Sequence, residues 1–162
     1  MKILLVDDEI DCVNSIEMAI KPLKHEISKY TDPFQAFDAI KLQHFDLVIS
    51  DIRMPGMTGI ELLKKIKEYD KRIEVIIMTA YGDLDTAIQC VNNRAYAFFP
   101  KPIEIIEVIH TIQELDRDIN KSNGDDEFET GKIKEEYNTL KKSYNELLEY
   151  LKKMQESGKI NE

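Results

Sequence analysis

A chain of 162 residues, 43% hydrophobic and 33% charged, has the length for one buried core plus an appendage. Its net charge of −9 argues against a nucleic-acid surface, because phosphate binding draws on clustered Lys and Arg. The opening apolar run stops at Asp7-Asp8-Glu9, too short for a signal peptide, and no apolar segment approaches the roughly 18 residues that span a bilayer. A cytoplasmic protein without nucleic-acid or membrane partners is expected. Cys12 and Cys90 lack zinc or redox spacing and sit in helical apolar patterns, so both are expected as buried free thiols.

Lys2–Val6 predicts a short strand that ends in acids. Asp11–Lys21 places Cys12, Val13, Ile16, Ala19 and Ile20 at helical spacing. His25–Tyr30 reads as a weaker strand. Thr31-Asp32-Pro33 then gives an N-cap with proline in the first turn of a helix reaching Leu42. Phe45–Ser50 is a strand ending at Asp51. Pro55-Gly56 marks a loop, and a helix from about Thr58 turns Ile60, Leu62, Leu63 and Ile66 inward. Ile73–Met78 is a strand ending in Thr79. Asp83–Asn93 is helical, Tyr96–Phe99 is a short strand, and Pro100-Lys101-Pro102 breaks the chain before a helix from about Ile103 to Ile119. His25, His44 and His110 fall on separate elements with no metal spacing.

Five strands alternating with five helices predict an α/β fold, because parallel neighbours need crossover helices. The apolar runs Ile3–Val6, Leu47–Ile49 and Val75–Ile77 suit strands covered on both faces. A doubly wound five-stranded parallel sheet of flavodoxin-like order 2-1-3-4-5 follows as the expectation. Its ligand crevice lies at the carboxyl ends of strands one and three, where Asp7-Asp8 and Asp51 stand.

Three carboxylates in one crevice repel one another and have raised pKa values unless a cation neutralises them. All-oxygen ligands favour Mg²⁺, which also screens an incoming phosphoryl group. Thr79 has a hydroxyl to donate to a phosphoryl oxygen, and Lys101 a point charge to place over it. Each residue alone has a bland reading: a helix cap, a turn aspartate, a solvated lysine, a core aromatic. Their arrival at four separate strand ends favours chemistry.

Val6-Asp7-Asp8-Glu9, the run DIRMPGMTGIEL over Asp51–Leu62, Thr79-Ala80 and Lys101-Pro102 together resemble the receiver domain of two-component response regulators, over roughly residues 1–118. The resemblance implies that Asp51 is the phosphoryl acceptor and Asp8 a direct metal ligand. Asp7 would act on the metal largely through water, and Arg53 through its backbone carbonyl. Thr79 and Lys101 match the residues that sense the phosphoryl group, and Phe98 the switch aromatic that turns inward with Thr79. Lys101–Pro102 resembles the family's cis peptide, which proline makes affordable. A histidine kinase or phosphotransfer protein is the implied donor, and the chain catalyses only its own phosphorylation and dephosphorylation. Arg94 departs from the family's usual glycine, and Arg tolerates the left-handed conformation less well, so the turn before strand five is expected to differ. Ala97 replaces a common polar residue.

Beyond a receiver unit at 1–119, residues 120–130 are polar and turn-rich, as a linker should be. Ile133, Tyr137, Leu140, Tyr144, Leu147, Leu151 and Met154 then follow at alternating spacings of four and three. This heptad seam predicts a long amphipathic helix over 131–157, followed by a disordered tail at 158–162. The seam is expected to form a homodimer; the competing reading folds it onto the receiver or a partner. Output is expected through contacts with a downstream protein. Two other functions compete: a haloacid-dehalogenase-type phosphatase, disfavoured because the acidic pair lacks the DxD spacing, and a scaffold that is never phosphorylated.

Overall fold

The computed structural model describes residues 1–80 and 84–122. Strands β1 (Lys2–Val6), β2 (Glu26–Tyr30), β3 (Leu47–Asp51), β4 (Glu74–Thr79) and β5 (Ala97–Pro100) alternate with helices α1 (Ile10–Ile20), α2 (Pro33–Leu42), α3 (Gly59–Tyr69), α4 (Leu84–Asn92) and α5 (Ile105–Ser122). The strands form one parallel sheet in the order β2-β1-β3-β4-β5. This is the predicted doubly wound, flavodoxin-like arrangement. Met1–Asp116 forms one compact unit.

The central strands are covered on both faces, as their unbroken apolar runs require. Ile3 to Val6, Leu47 to Ile49 and Val75 to Met78 are all buried. One continuous cluster joins Leu4, Val6, Val48, Val75 and Ile77 to Ala36, Ala39 and Ile40 of α2 and Leu62, Leu63 and Ile66 of α3. Full burial of an aliphatic side chain contributes about 1.5–3 kcal/mol, so these side chains fix the strand positions. The register then brings the carboxyl ends together. Val6 lies beside Ser50, Asp51 beside Met78, and Thr79 beside Pro100. Asp7, Asp51, Thr79 and Lys101 therefore emerge along one edge.

Local chemistry starts the helices where the sequence says it should. Asp32 accepts hydrogen bonds from the amides of Phe34 at 2.7 Å and Gln35 at 3.4 Å, with Pro33 in the first turn of α2. Thr58 and Glu61 form a reciprocal capping box at α3, which holds the Glu61 carboxyl below its ordinary range. Helix α5 runs to Ser122, past the predicted end and into the predicted linker. The heptad seam over 131–157, the tail and most of the linker lie outside the described residues. Among the described residues no helix is long and apolar enough to cross a membrane.

Two expectations need correction. Cys90 is buried, and burial pushes its thiol up to about 11, but Cys12 is only half-buried because α1 turns it toward the helix edge beside Glu9. Arg94 does take the left-handed conformation, with φ of 61°. Its amide donates to the Val91 carbonyl at 3.0 Å and that of Ala95 to Cys90 at 2.9 Å, so the stop after α4 closes as a glycine would close it. The exposed arginine carries backbone strain instead of rerouting the turn.

At the opposite edge, Asp46 joins three strands. Its carboxylate accepts the Lys2 amide at 2.6 Å, its amide donates to the Lys2 carbonyl at 2.9 Å, and its carbonyl accepts the Glu74 amide at 2.9 Å. Burial raises the Asp46 carboxyl, but the Lys2 amide and His44, at 3.0 Å, outweigh it and hold the group below its ordinary value.

Replacing Arg94 with glycine relieves the left-handed strain and is expected to raise stability in urea by about 0.5–1 kcal/mol; an unchanged or lower midpoint would refute this. Because the folded-state pKa of Asp46 is depressed, its contribution is present above the unfolded value and is lost as pH falls through the folded one. Asp46→Asn is therefore expected to be less stable than the wild type at neutral pH. The gap should close below about pH 4 in a series of denaturant melts.

Candidate functional site

The ends of β1, β3 and β5 meet in one ionic arrangement. Asp7 and Asp51 are 2% and 6% exposed, so neither carboxylate has bulk water to solvate it. Between them lies the Lys101 ammonium, 2.6 Å from Asp51 Oδ1 and 3.0 Å from Asp7 Oδ2. The other two oxygens take backbone donors. Asp51 Oδ2 accepts the Arg53 amide at 2.6 Å, and Asp7 Oδ1 accepts the Glu9 amide at 2.9 Å. All four carboxylate oxygens are thus engaged, as buried anions require.

Burial raises the Asp7 carboxyl above its ordinary value, an effect only partly offset by the Glu9 amide and Lys101. Burial would lower Lys101, but the hydrogen bonds and charges of Asp51 and Asp7 prevail and raise it above the usual lysine range. The lysine therefore stays charged at neutral pH.

The sequence placed three carboxylates together, neutralised by a cation. The structure brings Asp7 and Asp51 together, and the Lys101 ammonium shared between them balances one of their two charges. Asp8 is exposed. Among the described residues, no three His, Cys, Asp or Glu side chains converge as a metal cage.

Thr79 is buried at the end of β4, and its carbonyl accepts the Lys101 amide at 2.6 Å. Phe98 pairs with Ile77 across the sheet and packs, partly buried, against the core cluster. The Arg53 side chain is exposed while its amide holds Asp51. The Lys101–Pro102 bond is cis.

Sequence reasoning missed how tightly the Asp51 backbone is packed. The Asp51 carbonyl accepts the Ser50 hydroxyl at 2.8 Å. Gly59 lies directly against that carbonyl, where a Cβ would collide with the oxygen. The Gly59 amide also donates to Ile52 at 2.9 Å, and the Ile52 amide to Met78 at 3.0 Å. The available signal was a glycine at the first helical position after a capping threonine, a place where a side chain would ordinarily be welcome.

Residues 3–113 match the family described as the response regulator receiver domain. This chain belongs to that family. It is 37% identical over 107 residues to sporulation initiation phosphotransferase F of Bacillus subtilis (strain 168), covering 66% of this chain and 86% of that protein. It is 35% identical over 112 residues to the transcriptional regulatory protein ZraR of Klebsiella oxytoca, but those residues are 69% of this chain and only 25% of that protein. The chain therefore spans about a quarter of the length of that larger regulator. Among solved structures, a CheY-like receiver from Methanospirillum hungatei JF-1 superposes with a TM-score of 0.69 at 26% identity, covering 74% of this chain and 97% of that one. The N-terminal domain of an uncharacterized protein from Wolinella succinogenes gives 0.69 at 28% identity, with coverage of 76% and 98%. This is a receiver domain of a signalling response regulator, and the haloacid-dehalogenase alternative falls with that membership.

Gly59→Ala is expected to destabilise the receiver by about 1–3 kcal/mol, because the new methyl must displace the Asp51 carbonyl. Urea unfolding checks this, and wild-type stability would show that the backbone there gives way at little cost.

Proposed function

We propose that the chain is a phosphorylation-dependent switch of a two-component phosphorelay, with Asp51 as the phosphoryl acceptor. The observation that carries this reading is the single lysine shared between Asp51 and Asp7 at one sheet edge. Family membership supports it, and the chain also resembles a relative named as a phosphotransferase over most of that relative's length.

The donor is a phosphohistidine on a histidine kinase or phosphotransfer protein. An oxygen of Asp51 attacks phosphorus; the new P–O bond forms as the P–N bond breaks, and the imidazole nitrogen keeps the electron pair. Lys101 opposes the negative charge that gathers on the phosphoryl oxygens, while the Arg53 amide keeps the carboxylate oriented. Asp7 and Asp51 are hard oxygen donors, and Asp8 follows Asp7 in the chain, so their chemistry fits Mg²⁺, with the Arg53 carbonyl as a further ligand. Bound there, the metal supplies charge neutralisation at the transferred group.

Thr79 and Phe98 then relay occupancy of the site, the first through its hydroxyl and the second by turning inward. The receiver unit is taken as 1–119, with a linker at 120–130, a dimerising helix at 131–157 and a disordered tail at 158–162. Output passes to a downstream protein through that homodimer, in the cytoplasm, without nucleic acid. The activity is self-phosphorylation and dephosphorylation rather than turnover of a metabolite.

With Mg²⁺ and an acyl phosphate donor, the intact chain is expected to gain one acid-labile phosphate, which Asp51→Asn and chelation of the metal both abolish. Light scattering in parallel is expected to return a dimer mass. An unlabelled wild type would favour the constitutive scaffold, and a concentration-independent monomer would remove the dimer.

A further inference from the structure

We infer that Phe34 is a positioning residue for phosphoryl transfer, holding from the far side the loop whose Arg53 amide orients the Asp51 carboxylate. The inference rests on Asp51 being the acceptor.

Phe34 is 51% exposed, an unusual position for a phenylalanine, and it is not one of the core side chains. Its backbone is fixed at the start of α2, where the Asp32 carboxylate accepts its amide at 2.7 Å and Pro33 is buried beside it. From this rigid base the ring reaches Gly56 in the loop between β3 and α3. Gly56 has φ of +80°, and a Cβ built on it would lie 2.9 Å from the Phe34 ring. The ring therefore covers the one backbone position in that loop whose left-handed conformation favours glycine.

That loop holds Asp51 at several points. The Arg53 amide fixes Oδ2 at 2.6 Å, Gly59 is packed on the Asp51 carbonyl, and the Gly59 amide closes onto Ile52. Met54 and Met57 are buried on the loop's inner side, whereas Pro55 and Gly56 are exposed. Phe34 thus braces the exposed crest of a loop whose inner side is already anchored. Without it the crest is free to shift, and with it the amide that orients the attacking carboxylate. Small displacements of reacting groups cost rate far more than they cost stability.

The test uses the full chain, Mg²⁺ and acetyl phosphate, a donor too small to need a docking surface. Phe34→Ala is expected to lower the maximal phosphorylation rate roughly tenfold while the half-saturating donor concentration stays near that of the wild type. Its melting temperature should fall by no more than about 5 °C. Phe34→Tyr keeps the ring and should restore the rate. Phe34→Leu, which keeps the apolar volume but not the reach, should remain slow and decides the matter if the alanine variant does not fold. A wild-type maximal rate in a folded Phe34→Ala or Phe34→Leu protein overturns the inference and leaves Asp51 as the acceptor. An unlabelled wild type overturns the acceptor reading and this inference with it.

Discussion

The Lys101 ammonium lies between two buried carboxylates contributed by strands far apart in the sequence, and the geometry of the crevice depends on that sharing. Asp7 and Asp51 would be costly so close together without it, since a buried charge whose partner is removed costs about 3–5 kcal/mol. The lysine reaches them because β4 and β5 are in register, with Thr79 beside Pro100 and the Lys101 amide bonded to the Thr79 carbonyl. The apolar strands fix that register, so the hydrophobic core and the ionic site are two results of one sheet.

The same sharing leaves the trio with an excess negative charge, two carboxylates against one ammonium. An arrangement of that kind suits a further hard cation, and it keeps the lysine charged and in place. The backbone amides of Glu9 and Arg53 orient the carboxylates without adding charge. Orientation comes from the loops and charge balance from a side chain, so changes in the β3–α3 loop can shift the Asp51 carboxylate while the ion pairs persist.

Much of this was legible in the amino-acid order. Strand runs that are apolar throughout can be satisfied only inside a parallel sheet, and Asp32 and Thr58 announce helix starts through hydrogen bonds local to the chain. The places of Asp51, Lys101 and Thr79 were legible because each stands at a strand end. The misses have a common cause, which is direction and close approach. Residue spacing put Cys12 on a helix without saying which edge. Arg94 shows a packed sheet overriding a local preference, since β5 must start where β4 needs it. Gly59 and Gly56 matter for what lies against them, the Asp51 carbonyl and the Phe34 ring, and neither neighbour is close in sequence to the glycine it covers.

The most direct test of the account is the chemical identity of the phosphorylated residue. Borohydride reduces an aspartyl phosphate to homoserine, so reduction of the phosphorylated full chain followed by peptide mass mapping reads the position outright. Homoserine at residue 51, and nowhere else, is the predicted result. Homoserine at Asp7 or Asp8, or phosphate recovered on a histidine or hydroxyl side chain, would contradict it.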